Sequence, residues 1–127
     1  MPQETIGKIR TRRFGNLNGV AVKGKLTFID LRDVGGVITD LVFKTTGSNF
    51  SILVKLDDEE IVNNTFAEIS AVSELQSFSA GQEGNVFTLA AGDLSFTRSA
   101  LVEIICDDLR FQTLYALVDT FEQATRE

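Results

Sequence analysis

The sequence predicts a mainly β protein: a small antiparallel β-sandwich or partly open barrel with one C-terminal amphipathic α-helix. Three observations carry that expectation. Short runs rich in β-branched and aromatic residues alternate with polar ones at period two. Gly, Asn and Asp punctuate those runs at short intervals. Residues 109–125 break the habit and set apolar side chains three and four apart.

The clearest run is Phe50 to Leu56. Phe50, Ile52, Val54 and Leu56 share one parity and Ser51 and Lys55 the other, so a strand here buries one face. Leu53 in the polar set predicts that the second face is partly covered. Val37 to Phe43 reads as another strand, with Thr46 to Asn49 as the hairpin loop between the two. Val20, Val22, Leu26 and Phe28 stand opposite Lys23, Lys25 and Thr27 in a third, where Gly24 marks a bulge or a close backbone approach. With a reversal at Asp30 to Gly36, Val20 to Leu56 becomes three antiparallel strands in a row. Val86 to Ala90, Leu94 to Arg98 and Leu101 to Cys106 form a second β cluster, with a tight reversal at Ala91 to Asp93, expected to pack against the first.

Between the clusters, Phe66, Ile69, Val72 and Leu75 recur at helical spacing, and Ala67, Glu68, Ala71 and Glu74 favour a helix. Serines and β-branched residues weigh the other way. The expectation taken is two strands, Thr65 to Ser70 and Glu74 to Ser79, followed by a loop at Ala80 to Asn85. At the C-terminal side, Phe111, Leu114, Tyr115, Val118 and Phe121 make one apolar stripe, while Arg110, Gln112, Asp119, Glu122 and Gln123 fall elsewhere. That is the pattern of a helix over 109–125, capped by Asp107 or Asp108. Its stripe would cover a sheet face or meet a second copy, with Tyr115 at the rim.

A chain of 127 residues, 43% hydrophobic, suits a single domain over 1–127 with a real core. Ten phenylalanines against one tyrosine and no tryptophan bring apolar area without polar handles, which fits a core or a subunit interface. Charge divides unevenly. Residues 1–55 hold nine Lys/Arg and four Asp/Glu, a net of +5, and residues 56–127 hold three and fourteen, a net of −11. If that division survives folding, copies attract head to tail. Lys8, Arg10 and Arg12 share a parity, with Arg13 just beyond. Residues 1–14 are thus either an edge strand guarded by charge or an extended basic arm reaching a neighbouring subunit or phosphates. Asp57-Asp58-Glu59-Glu60 is a solvated turn unless a cation or a basic partner neutralises it, and it lacks the spacing of a calcium-binding hand loop.

The absences narrow the chemistry. With no histidine, a Ser-His-Asp or Cys-His site is excluded within the chain, as is any histidine-bearing zinc site. Cys106 is the single cysteine and lies among Glu103, Asp107 and Asp108, which oppose a thiolate. No glycine-rich stretch ends in Gly-Lys-Ser/Thr. Catalysis would fall to carboxylates such as Glu68, Glu74, Asp93 and Glu103, and their spacing does not bring two of them together. No cofactor and no metal are implied. No apolar run approaches membrane-spanning length and no signal segment opens the chain, so the expected location is the cytoplasm or a virion.

The expectation for function is a noncatalytic structural or assembly protein. It would be a small β-rich subunit packing with copies of itself or with a larger complex, such as a virion shell or tail. The alternatives are a domain that binds a ligand, carbohydrate or nucleic acid through the basic N-terminal segment, and a small carboxylate-dependent hydrolase. The residues expected to meet a protein or phosphate partner are Lys8, Arg10, Arg12, Arg13, Asp57, Asp58, Glu59, Glu60, Phe111, Tyr115 and Phe121.

Overall fold

The structure is a computed structural model describing residues 4–16, 20–71 and 78–126. Its elements in chain order are β1 (Glu4–Asn16), β2 (Val20–Arg32), β3 (Gly35–Thr45), β4 (Phe50–Leu56), β5 (Glu59–Thr65), α1 (Phe66–Ala71), β6 (Phe78–Glu83), β7 (Val86–Ala91), β8 (Leu94–Phe96) and β9 (Ser99–Arg126). They form one antiparallel sheet, curled into a half-barrel.

The sheet is built on β9. A strand of 28 residues would run roughly 90 Å if straight. A domain of this length has a radius of gyration of about 14 Å, so β9 must bend. It does so between Cys106 and Phe111, where the partner on one side changes from β4 to β3 and the pairing with β2 shifts register. On one side β2 pairs with Ser99 to Phe111 and β1 with Leu114 to Arg126. On the other side β4 pairs with Ala100 to Cys106 and β3 with Phe111 to Phe121. The two ends of the bent strand then approach. Arg32 lies opposite Ser99 and Gly35 opposite Phe121, yet only Asp33 and Val34 separate Arg32 from Gly35. Three virtual bonds span at most about 11 Å. The Val34 N–H closes this end by donating to the Arg98 carbonyl at 3.0 Å.

The C-terminal helix is therefore absent: residues 99–126 are strand throughout. The reason lies in bulges. Ala100, Val102, Ile104 and Cys106 are buried at period two, then Phe111, then Leu114, Ala116, Val118 and Thr120 at period two again. The β3 register jumps from Lys44–Thr113 to Thr45–Phe111 and leaves Gln112 unpaired. That one extra residue sets two buried side chains three apart, which imitates a helical step. Phe121, assigned to the apolar stripe, lies on the opposite, convex face and is 50% exposed.

Several expected reversals are bends of the same kind. β2, β3 and β4 exist, but they pair with β9 and not with one another. Thr46 to Asn49 is no hairpin loop, since β3 and β4 follow one another along β9 and the loop spans the bend. Ala91 to Asp93 does not reverse the chain either. β7 and β8 continue in one register along β3, from Leu41–Ala91 to Ile38–Leu94. The second cluster thus extends the same sheet and does not pack on the first as a separate layer. The bulge expected at Gly24 is present, as a register shift between Val22 and Gly24.

Residues 65–79 also depart from the strand expectation. Thr65 ends β5 and Phe66–Ala71 is a helix. Thr65 and Glu68 form a capping box: the Glu68 N–H donates to Thr65 Oγ1 at 3.2 Å and the Thr65 N–H to Glu68 Oε1 at 2.9 Å. The Thr65 N–H first, and then the Thr65 hydroxyl, hold the Glu68 carboxyl below its ordinary pKa. The Thr-x-x-Glu pattern was the sequence signal that decides for a helix. Of the expected strand Glu74 to Ser79, residues 74–77 lie outside the described residues. The expected loop at Ala80 to Asn85 is instead β6 and its two-residue turn into β7.

The concave face is the core. Phe14, Phe28, Phe43, Phe111, Phe50, Phe66 and Phe87 form a continuous seam with ring centroids 5.4–6.5 Å apart, five of the six contacts edge-on. Edge-to-face rings place a positive edge on a negative face, so each contact adds to the area it buries. Phe78 and Phe96 are buried beside it. The surplus of phenylalanine is thus largely core.

Candidate assembly surface

Strands paired on both sides have no spare backbone hydrogen bonds, whereas edge strands do. Among the described residues, β1, β2, β5, β6 and β8 each pair with a single neighbour. β2 carries two register shifts and β5 one, at Ile61, and each shift interrupts the regular row of outer backbone groups. β6 and β8 are short, at six and three residues. β1 differs: its thirteen residues pair with β9 from Glu4–Arg126 to Asn16–Leu114 in one unbroken register, leaving a long regular outer edge.

This edge is where the sequence-predicted basic residues sit. Residues 4–16 form an edge strand and not a free arm. Lys8, Arg10 and Arg12 oppose Glu122, Thr120 and Val118, while Arg13 opposes Leu117 on the other face. Arg10 and Arg13 are exposed and Arg12 half-buried. Sequence reasoning passed over Ile9, the one apolar residue inside the basic run. It is 66% exposed and opposes Phe121, itself 50% exposed, so two large apolar side chains stand together on the convex face beside the free edge.

The acidic turn occupies another edge. Asp57 and Asp58 both adopt positive φ, 56° and 64°, and close a two-residue hairpin from β4 to β5. Asp57 is not idle in solvent. Its carboxylate accepts from the N–H groups of Thr97 (2.9 Å), Arg98 (2.6 Å) and Ser99 (3.2 Å) and from Thr97 Oγ1 (3.0 Å). It therefore ties this hairpin to the connection between β8 and β9. The Arg98 N–H first, then that of Thr97, holds its pKa down at about 2, from 3.8. A carboxyl depressed by folding stabilises the fold above its unfolded pKa and loses that contribution as pH falls through the folded one. Asp57→Asn is expected to lower Tm by several degrees at neutral pH. The gap between wild type and variant should close between pH 3.8 and about 2, as read by circular dichroism melts across that range. Asp58, Glu59 and Glu60 remain exposed, as does Ile61 at the start of the free β5 edge.

The remaining candidates are dispersed. Phe111 is fully buried in the aromatic seam and presents nothing to a partner, while Tyr115 is half-buried on the convex face. Glu103 is nearly buried between Lys25 Nζ (3.1 Å) and Thr27 Oγ1 (3.0 Å). Glu68 caps α1, Asp93 stands between β7 and β8, and Glu74 lies outside the described residues. The Cys106 thiol donates to the Val22 carbonyl, and burial pushes its pKa up. Among the described residues, no group of three His, Cys, Asp or Glu could hold a metal ion, and no helix is long and apolar enough to cross a membrane.

A hollow of about 1170 Å³ lies at the end where Arg32 and Gly35 meet β9, between Arg12, Arg32, Asp30, Asp33, Ser95 and Thr97. A second of about 460 Å³ adjoins it near Lys55, Asp58 and Arg98. Both mix charges of either sign, and Arg32 forks onto Asp30 through Nε (3.1 Å) and Nη2 (3.3 Å), which raises its pKa. Such a lining does not focus a field of one sign. Among the described residues, backbone groups without a strand partner stand along the sheet's edges. A scan against protein-family models gives no match to the chain, and a search of curated proteins gives none either.

Proposed function

We propose that this chain is a noncatalytic building block whose sheet continues into copies of itself. One observation carries the reading: β1 is a thirteen-residue edge in unbroken register, paired on one side only, with Ile9 and Phe121 exposed beside it. Long regular edges are templates for further strands unless something covers them. The titrating groups speak for the same reading. Among the described residues, the two carboxyls with lowered pKa are both held by structural hydrogen bonds, Asp57 from the connection between β8 and β9 and Glu68 from its helix cap, so neither is poised for proton transfer. A place among the small subunits of a shell or tail, in a virion or in the cytoplasm, goes with this proposal. Sedimentation velocity across a wide concentration range tests it. The expected result is a mass that rises with concentration. A monomer at every concentration and salt would remove the reading.

A further inference from the structure

We propose that assembly is head to tail, with the β1 edge of one copy pairing with the β5 edge of the next; this rests on the assembly reading above. The two edges are unlike in charge. β1 carries Arg10 and Arg13, both exposed, within the run Lys8 to Arg13. β5 opens with Glu59 and Glu60, directly after Asp58, and all three are exposed. Asp57 is excluded from this count because Thr97, Arg98 and Ser99 consume its carboxylate.

Pairing two β1 edges would set basic residues against basic ones at cross-strand distance, where like charges destabilise. Two β5 edges would do the same with carboxylates. Only the unlike pairing relieves both. Each edge also offers one exposed isoleucine, Ile9 at 66% and Ile61 at 42%, so the joint buries apolar area on both sides. Both strands keep an outer row of backbone groups among the described residues, because β1 pairs only with β9 and β5 only with β4. A joint between two different surfaces is heterologous. An open chain of copies then keeps one free edge of each kind at its two ends, and assembly proceeds to a ring or a filament, not to a closed twofold dimer. Ion pairs at such a rim weaken with salt.

Charge exchange tests this. Wild type, Arg13→Glu, Glu60→Lys and the double variant are compared by sedimentation velocity in about 20 mM and about 500 mM salt, with circular dichroism confirming the fold of each. Wild type is expected to assemble more strongly at low salt. Each single variant should weaken assembly at least tenfold. The double variant, and an equal mixture of the two singles, should recover most of it. Should a reversal disturb folding, Arg13→Gln and Glu60→Gln replace it, each with a severalfold weakening. The proposal is overturned if wild type assembles and Glu60→Lys assembles equally well, since β1 then pairs with something other than β5. It is equally overturned if the double variant stays as weak as the singles. A wild type that never assembles removes the assembly reading itself, and this joint with it.

Discussion

Phe111→Ala is expected to destabilise the fold by about 3–5 kcal/mol, while Phe121→Ala changes stability by less than about 0.5 kcal/mol. Phe111 is fully buried and its ring stands edge-on to both Phe43 (6.3 Å, 81°) and Phe50 (5.4 Å, 72°). It sits where β9 bends, and its ring joins the β3 side of the core to the β4 side. Removing it empties the centre of the aromatic seam, and two long strands bent around it have little freedom to collapse into the gap. Phe121 lies on the convex face, half exposed. A helix carrying both on one buried stripe would make the two substitutions comparably costly. Urea unfolding of the pair reads the difference directly, as a large fall in midpoint for the first and almost none for the second. A total stability of about 5–15 kcal/mol is usual for a domain, so Phe111→Ala leaves a marginal fold.

Gly15→Ala is the second large effect. Gly15 adopts φ +95°, and a Cβ there would overlap the carbonyl oxygen of Leu114 on β9 and come within 2.9 Å of the Phe28 ring. The backbone conformation alone costs about 1–3 kcal/mol in a residue with a side chain. The overlap is with backbone, which cannot swing aside, so β1 must move off β9. The sum is expected to exceed about 3 kcal/mol. Gly24 is the internal control. It has φ +82° but nothing within 4 Å of a built Cβ, so Gly24→Ala should show the conformational cost alone. Thermal melts of the two variants separate strain from collision. Similar losses would mean that β1 and β9 are not this close at Gly15.

Individual strands were legible in the sequence because burial alternates within each. Phe50, Ile52, Val54 and Leu56 are all buried, and the residues between them are half-covered, as Leu53 suggested. For the basic segment Lys8 to Arg13 the sequence left an edge strand and an extended arm both open, and the unbroken register with β9 decides for the edge. Connectivity was not legible. Gly, Asn and Asp at Thr46 to Asn49 and at Ala91 to Asp93 signal that the chain leaves ideal strand geometry, but local chemistry is alike in a hairpin and in a bend along a continuing strand. The choice is made by β9, whose partners lie as much as 122 residues away, from Glu4 to Arg126. The unpaired Gln112 shifted burial by one residue, so two period-two runs joined into a pattern with helical spacing. The candidate assembly surface was half legible. Its charges were visible, whereas Ile9 and Ile61 gain meaning only once their strands are known to be edges.

The buried Phe111 and the free β1 edge both require residues 111–121 to be a strand with neighbours on both sides. The direct measurement is by NMR, through backbone chemical shifts over 99–121 and cross-strand nuclear Overhauser contacts from Val118. Extended-strand shifts are expected throughout, with Val118 in contact with both Arg12 on β1 and Ile38 on β3. Helical shifts over 109–121, with sequential contacts three residues apart and none from Val118 to Arg12 or Ile38, would contradict the bent strand and the free edges that follow from it.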